Sequence, residues 1–411
     1  MPTALADVPP ELQTDFDIYD PSLAAPVDRV QEELAALAKR GPILYSSKHG
    51  GHWIVLGYDE VHEVLRDPER FSSFPNNIMP HGGEKTLPLE LDPPEHTAYR
   101  HALQPLFSPT RMRALEEQIR ATVTELLDGF AARGEAEFVS EFAHELPARV
   151  FLSLMDLPLE DAPLFTEATN TYMLGKPGAT EEESNAARED AMFRMWSYFG
   201  DLVTERRSRP VPGDDVTSQI IFGDVTIDGV PRKFTDAELQ NMFFLLLIAG
   251  LHTVQGSLGW AVAHLTAHPD QHRSLTEDPA RIPAAVEEIL RIEAAVHPGR
   301  RVVADTTLGG IALRAGDQLL LSLAAANRDG RQFDAPESFD GTREPNRHLS
   351  FGSGPHRCLG SHLARVELRI ALEELHRRIP DYRLAPDAVT LWHASQVRGV
   401  LQLPIVFTPE A

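Results

Sequence analysis

One cysteine, Cys358, occurs in 411 residues. That scarcity excludes an internal disulfide, and it excludes zinc or iron–sulfur sites built from several sulfurs. Long apolar runs are also missing. The longest, residues 242–251, falls far short of the ~18–20 residues that cross a bilayer, so no membrane partner is expected. Residues 1–20 are acidic and contain prolines, without the basic start and apolar core of a leader peptide. A free thiol and no leader predict a cytoplasmic protein. Positive charge is scarce: 38 Lys and Arg stand against 61 Asp and Glu, a net charge of −23. No basic tail or patch offsets it, so no nucleic-acid partner is expected. Neither a Gly-x-Gly-x-x-Gly after a strand nor a Walker loop is present, which excludes a nicotinamide, flavin or nucleotide module of the chain's own.

What is there centres on the lone thiol. It lies in Phe351-Gly-Ser-Gly-Pro-His-Arg-Cys358-Leu-Gly360. One thiolate suffices to ligate a haem iron from one side. The glycines let the backbone turn tightly and approach a flat ligand. Backbone N–H groups turned toward the sulfur would stabilise its anion. Residues 359–370 read as a helix, which places the sulfur at a helix N-terminus, where the dipole lowers a thiol pKa.

Along the chain the pattern is mainly helical with a minor β part. Residues 52–58 read as a strand and 58–66 as a short helix ending before Pro68. Residues 76–94 have no period and are rich in Pro and Gly, including Pro80, Gly82 and Gly83. A loop that long is usually functional. Helices are predicted at 95–105, 110–133, 137–155, 160–173 and 185–207, with a break at Gly175-Lys-Pro-Gly178. Residues 235–267 read as one long helix started by a Thr235–Glu238 capping box. Its middle is apolar on all faces, so it is expected to run through the core. Helices follow at 280–294 and 358–379, a small sheet at 302–322, and a strand at 397–407. Within these helices His96 and Arg100 stand four apart and can clamp an anion, and Glu288 and Arg291 stand three apart on one face. Two patterns are decoys. His264, His268 and His272 are spaced by four, but Pro269 interrupts them. Ser353 lacks the Gly-x-Ser-x-Gly spacing of a hydrolase.

The order Phe-Gly-x-Gly-x-His-x-Cys-x-Gly resembles the haem-binding loop of the cytochrome P-450 superfamily, the haem-thiolate monooxygenases. Further matches run in the expected order from about Tyr58 to Leu403, including Ala326-Asn-Arg-Asp329. The resemblance implies the cytochrome P-450 fold of the soluble bacterial type, with a long central helix over a buried haem b. The chain would form one domain, 1–411. Its β-rich part would take about 1–75, 300–345 and 385–411, and its helical body about 95–295 and 358–380. Cys358 would be the axial iron ligand, and Phe351 would begin its loop. His96, Arg100, Arg300 and His356 would hold the haem propionates, with adjacent Arg301 leaving open which arginine points inward. Glu288-Ile-Leu-Arg291 and the later Arg343 would form a buried ion cluster behind the haem loop. Ala249-Gly250-Leu-His252-Thr253 matches the oxygen-handling stretch of the central helix, with Ala249 and Gly250 small enough to pass close over the haem and Thr253 bonding dioxygen. The residue before the threonine is normally an acid, and here it is His252. Three roles fit it: a substitute proton relay, a side chain turned away while water delivers protons, or a mark of altered chemistry.

The resemblance further implies insertion of one oxygen atom of dioxygen into a small hydrophobic substrate, with electrons from a separate ferredoxin and ferredoxin reductase. Arg111, Arg113, Arg347, Arg357 and Arg365 offer a local basic docking face. The pocket is expected to draw on Ile78, Met79, Leu87, Tyr172, Met173, Phe244, Ile248, Val296 and Val397, an apolar set suited to terpenoids or aromatics. The alternatives are a haem peroxygenase using hydrogen peroxide and a non-catalytic haem ligand sensor.

Overall fold

Residues 43–46 and 52–55 are apolar and β-branched runs flanking Lys48-His-Gly-Gly51, and they pair as an antiparallel hairpin with every strand residue buried. Gly51 closes it at φ 94°, where a Cβ would lie 2.1 Å from the Tyr45 hydroxyl. The computed structural model describes residues 2–24, 27–79, 84–176 and 178–410. Pro80, Gly82 and Gly83 of the long loop, and Pro177 of the break after 173, lie outside the described residues. The hairpin sits in a six-stranded sheet of β1 (Gln13–Thr14), β2 (Ile43–Ser46), β3 (His52–Val55), β4 (Phe71–Ser72), β5 (Gly299–Val302) and β6 (Gln318–Leu321). Their order is β1-β2-β3-β6-β5-β4. The stretch expected as its own sheet at 302–322 therefore divides. Its outer strands join the N-terminal ones, and only Thr306–Leu308 and Ile311–Leu313 form a separate hairpin.

The helical body contains α1 (Tyr58–Arg66), α2 (Glu95–Leu103), α3 (Glu116–Asp128), α4 (Glu145–Leu154), α5 (Ala162–Leu174), α6 (Glu181–Ser208), α7 (Asp236–Ala267), α8 (Ile282–Ile292) and α9 (Ser361–Arg378). Helix α7 starts as expected: Thr235 Oγ1 accepts from the Glu238 amide, and the Glu238 carboxylate accepts from the Thr235 amide at 2.8 Å. It packs against α4, α5, α6, α8 and α9. Among the described residues it is the one helix long and apolar enough to cross a membrane, and 72% of its most apolar window is buried inside the molecule. Helix α6 starts ahead of the 185–207 pattern, at the acidic stretch 180–183 that reads as a helix start, and Thr180 and Glu183 form a second capping box there.

Other boundaries differ for physical reasons. The expected helix 110–133 divides into Pro109–Arg113 and α3, where the Leu115 amide bonds the Met112 carbonyl in a tight turn. The expected helix 137–155 loses its start to a strand, Glu135–Glu137, which pairs with Pro404–Val406. A π-type turn, Val139–Ala143, then leads into α4. The C-terminal 397–407 splits, with Gly399–Gln402 pairing Leu391–His393 and Pro404–Val406 pairing both Arg383–Leu384 and Glu135–Glu137.

Candidate active site

The loop carrying Cys358 is held by its own backbone. The Cys358 amide donates to the Phe351 carbonyl at 2.8 Å, and the Gly352 amide to Leu349 at 2.7 Å. Gly354 has φ 69°, and a Cβ there would meet the Leu65 carbonyl of α1 at 2.6 Å, so both conformation and packing demand glycine. Gly360 is different: its φ is −83° and nothing crowds it. Its contribution is a backbone hydrogen bond to Cys358. Burial pushes the thiol above its ordinary value, while that bond and the charges of Arg100, Arg365 and Arg357 pull it down. The expected depressed pKa is therefore not a property of the polypeptide alone. A cation at the sulfur would reverse the balance outright.

Cys358 is exposed to a cavity of about 650 Å³ that His96, Arg100, Phe107, Pro355 and Leu359 also line. Basic residues gather beside it, with Arg100 and Arg357 in its lining. The rings of His96 and His356 lie 3.9 Å apart. Arg100 reaches the loop and donates to the Arg357 carbonyl at 2.8 Å. Arg300 is buried at 3% exposure, whereas Arg301 is exposed. The Arg300 guanidinium donates to the Gly299 carbonyl at 2.7 Å and to Asn76 at 3.3 Å. Burial and the Arg100 charge hold the His96 imidazole down at about 4. Burial and the charges of Arg300, His96 and Arg100 hold His356 at about 2. His96 Nδ1 and His356 Nε2 are buried without partners. Positive charge gathered beside orphaned imidazole nitrogens is costly unless an anion joins it. A haem, with one iron for the lone sulfur and two carboxylates for the cations, fits this donor set.

Helix α7 has an uncovered stretch midway along its buried length. Ala249 is exposed, nothing lies within 4 Å of a Cβ built on Gly250, and Thr253 is half-buried. Thr253 Oγ1 donates to the Ala249 carbonyl at 2.7 Å. His252 points elsewhere. It is 4% exposed, its Nε2 has no partner, and burial, with His144 and His393 nearby, holds its imidazole at about 3. A hydrogen bond with the Thr169 backbone acts in the opposite direction.

Behind the loop, Glu288 and Arg291 are both fully buried and joined by two bonds of 2.7 and 2.8 Å. Arg343 adds contacts at 3.1 and 3.2 Å, and Asn346 and the Asp340 amide complete the carboxylate's partners. Sequence reasoning did not anticipate how this cluster reaches Cys358. Asn327 is the link: its carbonyl accepts from Arg291 at 2.8 Å, its Oδ1 accepts the Leu349 amide at 2.7 Å, and its Nδ2 donates to Ser350 at 2.8 Å. The Ala-Asn-Arg-Asp match marked the position but not the bonds.

The expected pocket residues fall into groups. Leu87, Tyr172, Phe244 and Ile248 share one apolar cluster, with Tyr172 edge-on to Phe244 at 5.3 Å. Val296 and Val397 form a β-bridge. Ile78 is buried beside the sheet, Met173 is half-buried on α5, and Met79 is 46% exposed. The decoy histidines separate: His264 bonds Gln271 at 2.7 Å and stacks on His268, while His272 packs on Tyr382. Of the five arginines, Arg365 is engaged by Glu287 and Phe351, and Arg111 by Gln219. Arg113, Arg347 and Arg357 are exposed.

A lone sulfur at a cavity, a cationic rim and a central helix with a small-residue gap define a haem-thiolate protein. The chain belongs to the cytochrome P450 family. The family model described as Cytochrome P450 matches residues 190–379. The chain is 35% identical over 404 residues to the mycinamicin IV hydroxylase/epoxidase of Micromonospora griseorubida, covering 95% of this chain and 97% of that one. It is 32% identical over 389 residues to the vitamin D(3) 25-hydroxylase of Pseudonocardia autotrophica, covering 92% and 93%. Among solved structures, that of CYP101J2 superposes with a TM-score of 0.86 at 30% identity, covering 99% of this chain and all of that one. The protein is thus a P450 monooxygenase with a haem-thiolate cofactor, using dioxygen and a redox partner.

Proposed function

We propose that this protein oxidises small hydrophobic organic substrates, binds haem b, and receives electrons from a separate ferredoxin with its reductase, the whole chain acting as one domain in the cytoplasm. The observation that carries this reading is Cys358 open to a cavity lined by Arg100 and Arg357, beside His96 and His356 ring nitrogens that are buried without partners. The haem, when bound, supplies oxygen binding and activation. Cys358 would ligate its iron, with the Gly360 backbone supporting the sulfur's charge. Arg100 and Arg300 would neutralise its carboxylates, and the neutral imidazoles of His96 and His356 would offer them hydrogen bonds. Ala249 and Gly250 leave room for it along α7, and Thr253 keeps a hydroxyl that accepts one hydrogen bond while donating another. His252 is neutral in the resting protein and directed away from the gap at Ala249 and Gly250, so a relay role would run through its unpartnered Nε2 and not through a standing imidazolium. Leu87, Tyr172, Phe244 and Ile248 exclude water from the substrate. Exposed Arg113, Arg347 and Arg357 favour an acidic electron donor despite the acidic whole.

The test is an optical titration of the ferric protein against terpenoids, aromatics and fatty acids, with mycinamicin IV and vitamin D3 included because two relatives are named for them. A shift toward high spin identifies a ligand that displaces the iron-bound water, and product formation with a ferredoxin system completes the case. A protein that retains no haem on reconstitution sinks the reading.

A further inference from the structure

Leu87 reaches its apolar cluster from a stretch with no strand or helix of its own. The backbone there has no ladder partner, and side chains take its place. The Leu87 amide donates to Asn241 Oδ1 at 2.7 Å, and Asn241 Nδ2 donates to the Lys85 carbonyl at 3.0 Å. The Thr86 amide donates to Glu90 at 2.9 Å, and the other Glu90 oxygen accepts the Asn76 amide at 2.8 Å. Asn241 is 6% exposed on α7. It stands three residues before Phe244 and seven before Ile248, on the same helix face. We propose that Asn241 is a specificity-determining positioning residue: it fixes Leu87 against Phe244 and Ile248 and so sets the width of the substrate pocket. Only a side chain carrying both a donor and an acceptor serves residues 85 and 87 at once. Aspartate would keep the acceptor, lose the donor and set a carboxylate against the Lys85 carbonyl. Leucine would leave both backbone groups unpaired. Glu90 still fastens the segment in either variant, so the effect is a shift of Leu87 and not unravelling.

The proposal rests on the reading that Leu87 and Ile248 border the substrate pocket. The experiment compares the haem-loaded parent with Asn241→Leu and Asn241→Asp. Amide exchange over 84–91 reports the latch. Optical titrations with imidazole, which occupies only the space next to the iron, and with 4-phenylimidazole, whose ring extends beyond it, report the pocket. In Asn241→Leu, exchange at Leu87 is expected to rise about tenfold, the protection one hydrogen bond confers. The ratio of the two azole dissociation constants is expected to change by about threefold or more, with Asn241→Asp shifting the ratio in the same direction. Unchanged exchange in both variants overturns the proposal. Raised exchange with the parental azole ratio also overturns it, and shows that Leu87 lies off the pocket while haem-thiolate binding stands. A parent whose spectrum shifts with neither azole overturns the haem-thiolate reading, and the proposal with it.

Discussion

Arg300 and Arg301 are chemically identical neighbours with opposite fates. On β5 successive side chains face opposite sides, so one is 3% exposed inside and the other is exposed. Arg300→Leu is therefore expected to weaken haem retention, and Arg301→Leu to leave it unchanged, as measured by the rate of haem transfer to apomyoglobin. Equal rates would remove Arg300 from the cationic rim. His252 carries a second prediction. His252→Asp is expected to retain haem while changing the fraction of electrons that reach product, read as product and hydrogen peroxide per electron consumed. If all three quantities match the parent, His252 has no part in proton delivery. His96, Arg100 and His356 stood out because each falls in a short motif of fixed spacing, whereas Arg300 was marked only by resemblance, with Arg301 beside it. The phase of β5 was not legible, because it is set by pairing with β6 from later in the chain, Leu319 opposite Arg300. Nor was the Cys358 pKa, because burial depends on the whole loop and outweighs the helix N-terminus that the local sequence displays.

At the scale of elements, α8 is tied to the cysteine loop through Glu288, Arg291 and Asn327. Glu288 is fully buried and meets two guanidinium groups, an amide side chain and a backbone amide. Removing its charge leaves Arg291 without its carboxylate partner in the interior. Glu288→Gln is expected to lower stability by about 3–5 kcal/mol, read from urea unfolding followed by far-ultraviolet circular dichroism, and to loosen the loop enough to speed haem loss. A loss below about 1 kcal/mol would class the cluster with ordinary surface pairs. Long helices with capping boxes or a full apolar circumference, such as α7, could be read from sequence because their signals are local. Where tertiary pairing competes, sequence periodicity misleads. Residues 135–137 satisfy their backbone in a sheet with 404–406, far along the chain, and the helical pattern of 137–155 gives way there. The hairpin Asp224–Ile227 and Val230–Lys233 was missed, although its Asp228-Gly229 turn, both at positive φ, displays a standard hairpin signal.

For the whole molecule, burial of neutral histidines governs the response to acid. His52, His252, His272 and His297 are all under a tenth exposed. Burial holds His52 and His272 at about 4 and His252 and His297 at about 3. Their folded values lie below the ordinary 6.5, so above pH 6.5 they contribute nothing. As pH falls below 6.5 the unfolded chain takes up protons that the folded one cannot, and stability drops by about 1.4 kcal/mol per pH unit for each group until its folded value is reached. Two buried acids oppose this. Burial raises Glu367 to about 8 and also raises Glu293, so the folded chain binds their protons first and gains stability as pH falls toward 4.5. These four imidazoles alone outnumber the two carboxyls, so the balance is a net loss. Glu238 and Glu287 enter only later: burial pushes their carboxyls up, but Arg232 and Tyr99 on one and His348 and Arg365 on the other hold both at about 2, so their stabilisation is lost only below about 4.5. Urea midpoints are therefore expected to fall between pH 6.5 and 5, before the salt-bridged carboxylates titrate. His297, with both ring nitrogens unpartnered, separates the contributions. His297→Phe should flatten the curve below pH 6.5 by about one proton's slope and change little at pH 7.5, whereas Glu367→Gln should steepen it. A midpoint that stays level from pH 7.5 to 5 in the parent, or a His297→Phe curve parallel to the parent's, would show that these imidazoles are not held neutral by the fold.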